Sequence, residues 1–297
     1  MRIFVYPYKS ASESAKLLAD ALDAKRIRLQ NSTYTYKEGD LIVNWGNSNC
    51  PYPSLNSAEA LKRSINKLSC FRYLRGQGFD AIPDYWTAPE DIPSSAFPIF
   101  CRTEVEGHDG SGIKVAMCRD ELVPAKLYTS RVSGTEYRVT VFKGEVTDIQ
   151  TKLTRSGVPT LSYDVKTYAN GWGFQRKLVE KHVEESITSL AADAINTLGL
   201  DFAGCDIVYD MMTQRAYLLE VNSAMGLEGG ALDRFANAVL RYKRELEQQI
   251  VEATPAPEAA PEMPEEDVLF STVCDAMRSK NWMDVIRFAA FQLAKGN

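Results

Sequence analysis

Gly204-Cys205-Asp206-Ile207-Val208-Tyr209-Asp210, a polar break at Met211-Met212-Thr213-Gln214, and Arg215-Ala216-Tyr217-Leu218-Leu219-Glu220-Val221-Asn222 form the stretch whose reading decides the fold. Two apolar runs around a turn predict a β-hairpin. A turn centred on Thr213 sets Asp206 opposite Glu220, Val208 opposite Leu218 and Asp210 opposite Ala216. Side chains alternate along a strand, so Asn222 falls on the face of Glu220. Two carboxylates directly across a strand pair stand ~5 Å apart and repel, and apolar surroundings strengthen the repulsion by lowering the local dielectric. A divalent cation offsets that cost. Asp, Glu and an Asn amide oxygen are the hard ligands Mg²⁺ prefers, and Mg²⁺ completes its shell with waters and phosphates. The hairpin therefore points to a bound nucleotide. Gly226-Leu227-Glu228-Gly229-Gly230, which follows, suits close approach of backbone to ligand.

Outward from the hairpin, a long helix is expected over 179–198, with Gly199 at its stop. Strands are expected at Tyr137-Arg138-Val139-Thr140-Val141-Phe142 and Glu145-Val146, around a Lys143-Gly144 turn, and at Phe97-Pro98-Ile99-Phe100-Cys101 and Ile113-Lys114-Val115-Ala116. Between the last two lies the glycine-rich Gly107-His108-Asp109-Gly110-Ser111-Gly112, whose free amides could wrap phosphates; His108 reads as a solvent-exposed loop residue. A helical segment covers 57–75. Ala169-Asn170-Gly171-Trp172-Gly173-Phe174 reads as a loop, in which Trp172 either lines a pocket or closes the core.

At the amino terminus, Arg2-Ile3-Phe4-Val5-Tyr6 reads as a strand and 10–24 as an amphipathic helix capped by Ser10 or Ser12. Leu41-Ile42-Val43 reads as a buried parallel strand ending in the polar loop 44–49, where open α/β sheets place ligands. At the other end, residues 251–267 hold four prolines, six acids and no base, an extended solvated tether. Beyond it, 268–277 and 281–294 read as a helical hairpin too small to fold alone, which docks on the body or binds another chain. The expected organisation is an α/β domain at 1–55, a mixed α+β body at 56–250, the tether at 251–267 and the hairpin at 268–297.

The chain has 297 residues, 45% hydrophobic and 25% charged, enough to bury a sizeable core. A net charge of −5 gives no basis for a nucleic-acid surface or a polybasic membrane anchor. No apolar run approaches the ~18 residues of a membrane span, and the N-terminus lacks a signal-peptide core. Six cysteines without a CxxC pair and two histidines argue against zinc and for reduced, buried thiols. A cytoplasmic location is expected.

Several segments, in order, carry a family resemblance. Asp201-Phe202-Ala203-Gly204-Cys205-Asp206-Ile207 with Leu219-Glu220-Val221-Asn222-Ser223-Ala224-Met225-Gly226 resembles the metal-binding hairpin of the ATP-grasp superfamily. Asn66-Lys67-Leu68 to Leu74, with Gly78 to Pro83, is similar to the helix preceding its central subdomain. Phe97-Pro98-Ile99-Phe100-Cys101-Arg102 resembles its "FPvvvK" strand, the 107–112 loop its phosphate loop, and Gly134-Thr135-Glu136-Tyr137-Arg138-Val139 its "g.eyRv" strand. Within the superfamily the resemblance is to carboxylate–amine ligases such as glutathione synthetase and the enzyme that adds glutamates to a ribosomal protein.

The resemblance implies an ATP-grasp fold: a small N-terminal α/β domain and two central α+β subdomains clasping ATP. It implies two Mg²⁺ ions (Mn²⁺ being an alternative) held by Asp206, Glu220 and Asn222, with Glu220 bridging. Arg102 would replace the family's phosphate-binding Lys, a swap of one phosphate-seeking cation for another. Gly110, Ser111 and Gly112 would contact phosphates, with Asn170 nearby. Tyr128, Thr129 and Ser130 would form the adenine slot in the linker between the central sheets, and Glu136 would touch the ribose or the adenine side. Arg138 would meet a phosphate or the reacting acyl group.

Two departures stand out. Gly204 replaces an Arg that several relatives place two residues before the metal Asp, leaving Lys152 or Arg155 to meet the transferring phosphoryl group. The family's "NxxPG" reads Asn222-Ser223-Ala224-Met225-Gly226, without the proline. The implied activity is ATP-dependent joining of a small-molecule or peptide carboxylate to an amine through an acyl phosphate. The alternatives are a kinase-like phosphotransferase, or a non-catalytic nucleotide-binding module that recruits a partner, or a second copy, through 268–297.

Overall fold

The computed structural model describes residues 1–105, 110, 112–253 and Met283, Ile286 and Ala290. The chain divides into two units, Met1–Glu245 and Leu246–Asn297. In the second, 246–253 and the three isolated positions are helical. The glycine loop apart from Gly110 and Gly112, with His108, and almost all of the expected tether and hairpin lie outside the described residues.

The first unit begins with β1 (Ile3–Pro7), α1 (Glu13–Ala21), β2 (Lys25–Arg26) and β3 (Leu41–Trp45). These make a parallel three-stranded sheet in the order β2-β1-β3. Of the two candidate caps of α1, Ser12 is used: its Oγ accepts the Ala15 amide at 3.3 Å. The segment 57–75 is two helices rather than one, α2 (Ala58–Ser64) and α3 (Lys67–Gly76). Asn66 divides them, because its Oδ1 accepts the Ser69 amide at 3.0 Å and starts a new helix.

Two antiparallel sheets follow. The four-stranded one, in the order β4-β7-β5-β6, comprises β4 (Tyr85–Trp86), β5 (Ile99–Arg102), β6 (Ile113–Ala116) and β7 (Leu127–Ser130). The five-stranded one, in the order β10-β9-β8-β11-β12, comprises β8 (Thr135–Phe142), β9 (Glu145–Thr154), β10 (Trp172–Gln175), β11 (Phe202–Asp210) and β12 (Arg215–Asn222). Helix α4 (Lys181–Leu198), closed by Gly199, buries Val183, Ile187, Ala191, Ala194, Ile195 and Leu198 in the core of the five-stranded sheet. Helix α5 (Gly229–Ala253) includes the first three residues of the expected tether. Among the described residues no helix is long and apolar enough to cross a membrane.

Three expectations are corrected. Tyr128, Thr129 and Ser130 are not a linker but lie in β7, inside a sheet. Trp172–Gln175, read as loop, is the edge strand β10, paired to β9. Trp172 itself is buried and donates its Nε1–H to the Ser162 carbonyl at 2.8 Å, so it closes the core. The hairpin keeps Asp206 opposite Glu220, but its register shifts directly after: Ile207 pairs with Leu218, Val208 with Tyr217 and Asp210 with Arg215. One extra residue on β12 makes this a β-bulge, which bends the strand beside the acids.

Candidate active site

The register of three neighbouring strands sets the site. Arg138 on β8 lies opposite Asp206 on β11, which lies opposite Glu220 on β12. The Arg138 guanidinium donates two hydrogen bonds to Asp206, Nε to Oδ1 at 2.7 Å and Nη2 to Oδ2 at 2.8 Å. From the first turn of α3, the Lys67 ammonium donates to Glu220 Oε2 at 3.2 Å and to the Leu219 carbonyl at 3.0 Å. Lys152 on β9 donates to Glu136 on β8. Phe174 on β10 lies beneath two of these cations, its ring centre 4.1 Å from the Arg138 guanidinium carbon and 4.9 Å from the Lys152 nitrogen.

The repulsion that the sequence assigned to a metal ion is therefore met in this structure by protein cations. Asp206 is neutralised by Arg138 and Glu220 by Lys67. Burial alone would raise the Asp206 pKa, but the adjacent Arg138 charge and its hydrogen bonds outweigh it and hold the carboxyl below its ordinary value. For Glu136 the balance is reversed, and burial raises its pKa despite Lys152. Burial lowers the Lys67 pKa, helped by the nearby Arg102 charge and opposed by Glu220. The Glu220 side chain is 42% exposed against 11% for Asp206, which makes it the accessible acid.

Arg102, at the end of β5, faces this cluster from the other sheet. Burial lowers its pKa, with Glu220 and Glu136 opposing the shift. Among the described residues it has no carboxylate partner within salt-bridge distance. A cavity of about 140 Å³ separates the sheets, and Arg102, Thr129, Ser130, Glu136 and Lys166 line it.

The structure thus brings together Arg102, Thr129, Ser130, Glu136, Arg138, Lys152, Asp206 and Glu220, with Asn222 next along β12 on the Glu220 face. Tyr128 is not among them. It is buried in the core of the four-stranded sheet, where its hydroxyl donates to the Val123 carbonyl at 3.0 Å and accepts the Ala125 amide at 3.1 Å. Arg155 is also elsewhere, stacked 3.6 Å from the Tyr168 ring centre and bonded to the Tyr168 carbonyl. Asn170 ties its own loop together, donating to the Val165 carbonyl at 2.7 Å. Gly110 and Gly112 both have positive φ, and a Cβ would stand 2.6 Å from Thr167 Cγ2 and 2.5 Å from Thr103 Oγ1 respectively, so both require glycine. Ser111 lies outside the described residues.

Sequence reasoning missed three members. Lys67 was legible only as the residue after a helix cap. Phe174 needed β10 to be seen as a strand. Lys166, which donates to the Gly134 carbonyl at 3.2 Å across the cleft, belongs to a loop whose path no local pattern predicts. Gly204 also finds an explanation: a Cβ there would meet Met225 Sδ at 3.0 Å and Arg138 Cδ at 3.6 Å. The space beside position 204 is taken chiefly by Met225, with Arg138 from the neighbouring strand alongside.

Among the described residues no three His, Cys, Asp or Glu side chains cluster as a metal site. The candidate donors are two carboxylates and the Asn222 amide oxygen, which also accepts the Ala224 amide at 3.0 Å. Hard oxygen donors in that combination fit Mg²⁺.

Comparison with known proteins agrees on architecture. A D-alanine–D-alanine ligase from Bacillus anthracis superposes with a TM-score of 0.56 at 15% identity, over 83% of this chain and 99% of that one. The ATP-grasp ligase PsnB, solved with a phosphomimetic variant of its minimal precursor, Mg and ADP, superposes with a TM-score of 0.59 at 11% identity, over 81% and 98%. The chain therefore has the ATP-grasp fold. In sequence it is 26% identical over 207 residues to a probable alpha-L-glutamate ligase from Klebsiella pneumoniae (strain 342), covering 60% of this chain. The chain spans 61% of the length of that curated relative. No protein-family model matches it.

Proposed function

We propose that the protein is an ATP-dependent ligase that joins a carboxylate to an amine. The γ-phosphoryl group of ATP is transferred to the substrate carboxylate, giving an acyl phosphate and ADP. The amine then attacks the acyl carbon, and phosphate leaves as the amide bond forms. Phosphoryl transfer asks little covalent chemistry of the protein; positioning and charge neutralisation dominate. The observation that carries this reading is the row Arg138–Asp206–Glu220, with Lys67 and Lys152 beside it and Arg102 facing it across the cleft.

Mg²⁺ held by Asp206, Glu220 and Asn222 would supply the positive charge that phosphate oxygens need; the proposed complement is two ions, with Glu220 shared. The chain supplies the rest. Arg138 and Lys67, which here hold the two acids, carry the N–H donors that turn to phosphate oxygens once the acids have another partner. Arg102 presents its fork from the opposite sheet. Thr129 and Ser130 line the nucleotide side of the cleft, and the buried Glu136–Lys152 pair fixes a polar group at its floor. The ligase names of the structural neighbours and of the curated relative support the reading.

The test is Glu220→Gln. ADP release with the true substrates should fall by at least ~10²-fold with the fold intact, as expected when an electrostatic contact made in the transition state is removed. Undiminished turnover would refute the mechanism.

A further inference from the structure

The sheet order β2-β1-β3 means that the chain leaves β1 toward one side and, after β2, crosses to the other. In open parallel sheets a ligand crevice opens at the carboxyl ends of the strands where the order reverses. Here these are the ends of β1 and β3, followed by Tyr8 and Gly46, and both turns meet the residues just past β12. A cavity of about 300 Å³ opens at that junction, with Tyr8, Gly46, Ile65, Lys67, Glu220 and Ala224 in its lining. At Gly46, with φ of +78°, a Cβ would come within 2.8 Å of the Ala224 Cβ and 3.6 Å of the Tyr8 Cβ. The three residues form one tight wall.

The charges in the lining are confined to one pair. Lys67 and Glu220 are 3.2 Å apart, and the Lys67 ammonium also donates to the Leu219 carbonyl. Every other described lining residue is uncharged. Lys9, whose ammonium lies over the Tyr8 ring, is outside the lining.

We propose that this cavity selects the amino-acid or peptide substrate, and that it takes a neutral side chain rather than one bearing a carboxylate. The inference rests on the ligase reading above and deepens it. Lys67, the one cation among the described lining residues, is held by Glu220 here and by phosphate in the ligase reading, so a side-chain carboxylate seated here would leave water without a free cation among them, and an unpaired buried charge is disfavoured more than shape fit recovers. A methyl, isobutyl or hydroxymethyl group leaves no charge unpaired against walls that mix Ile65 and Ala224 with Tyr8 and Ser223.

The experiment uses the full chain with MgATP and a panel of alanine, valine, leucine, serine, aspartate and glutamate, alone, in pairs and as dipeptides. ADP release and product mass give kcat/KM, and calorimetry gives MgADP binding separately. Neutral members should exceed acidic ones at least ten-fold in kcat/KM. Ile65→Arg, at a position 42% exposed and so tolerant of the change, should narrow that margin at least ten-fold with MgADP binding unchanged. Ala224→Val, which shrinks the cavity without charging it, should reduce turnover of leucine more than of alanine. Preference for glutamate or aspartate in the parent chain, or a margin unmoved by Ile65→Arg, would overturn the assignment. So would normal MgADP uptake with no panel member turned over or raising the Tm. Absence of MgADP uptake would instead bring down the ligase reading, and this inference with it.

Discussion

At the residue scale, the Arg138–Asp206 pair is the site's most constrained contact, bidentate and with little of either side chain exposed. Removing one partner strands the other's charge in the interior. Arg138→Met should therefore destabilise the protein by about 3–5 kcal/mol in urea titration, and Asp206→Leu added to it should restore most of the loss. The pair also sets an acid response. The folded-state pKa of Asp206 lies below its unfolded value, so the ionised group stabilises the fold fully above the ordinary carboxylate range near ~4, and that contribution disappears as pH falls through the depressed value. Asp206→Asn should accordingly flatten the loss of stability between about pH 5 and pH 2 relative to the parent chain. The acids at 206 and 220 were legible in the sequence as polar positions in two apolar strands of one hairpin, but the turn alone sets a register that would put Asp206 opposite Leu219, and the bulge brings Glu220 there. Their partners were not: Arg138 and Lys67 reach them from 68 and 153 residues away, distances over which no periodicity carries information.

At the scale of elements, Asn66 does what its residue type favours, ending one helical stretch and opening the next. Asn66→Ala removes the side-chain acceptor of the Ser69 amide, and about 1 kcal/mol of stability should go with it, read as a lower Tm. Because Lys67 directly follows the cap, the same variant should also weaken MgADP binding if Lys67 turns to phosphate as proposed. Helix α4 was readable almost to the residue, since its apolar stripe and its glycine stop are local signals. Strand β10 was not, because its four residues include a glycine and carry no alternation of their own; pairing with β9 makes it a strand. The bulge after Asp206 belongs with it, as a register shift is a property of two strands together.

At the scale of the whole unit, Trp45 of β3, Phe142 of β8, Phe202 of β11 and Phe235 of α5 form one aromatic cluster, with ring centres 5.3–6.3 Å apart. All four are buried. They join the amino-terminal sheet, the five-stranded sheet and a helix, so their packing couples elements that are distant along the chain. Phe235→Ala should cost about 3–5 kcal/mol, and unfolding followed by tryptophan fluorescence and by far-ultraviolet dichroism should move together. Separate transitions would show that the amino-terminal sheet is stable on its own.

The motif order, the strand–helix alternation and the placing of Asp206 and Glu220 on adjacent strands of one hairpin were present in the primary structure, since each depends on neighbours within a turn or on a period of two or 3.6 residues; their direct facing came from the bulge. The tertiary structure alone decided that two protein cations, rather than an ion, can hold those acids. It also decided that Tyr128 packs in a core, that Arg155 and Asn170 bond to carbonyls of the 165–168 segment, that Met225 and Arg138 occupy the space beside Gly204, and that a cavity opens whose charged residues, among those described, are Lys67 and Glu220 alone. Each of these is set by side chains converging from separate elements, and burial and charge compensation are properties of that convergence rather than of any one segment.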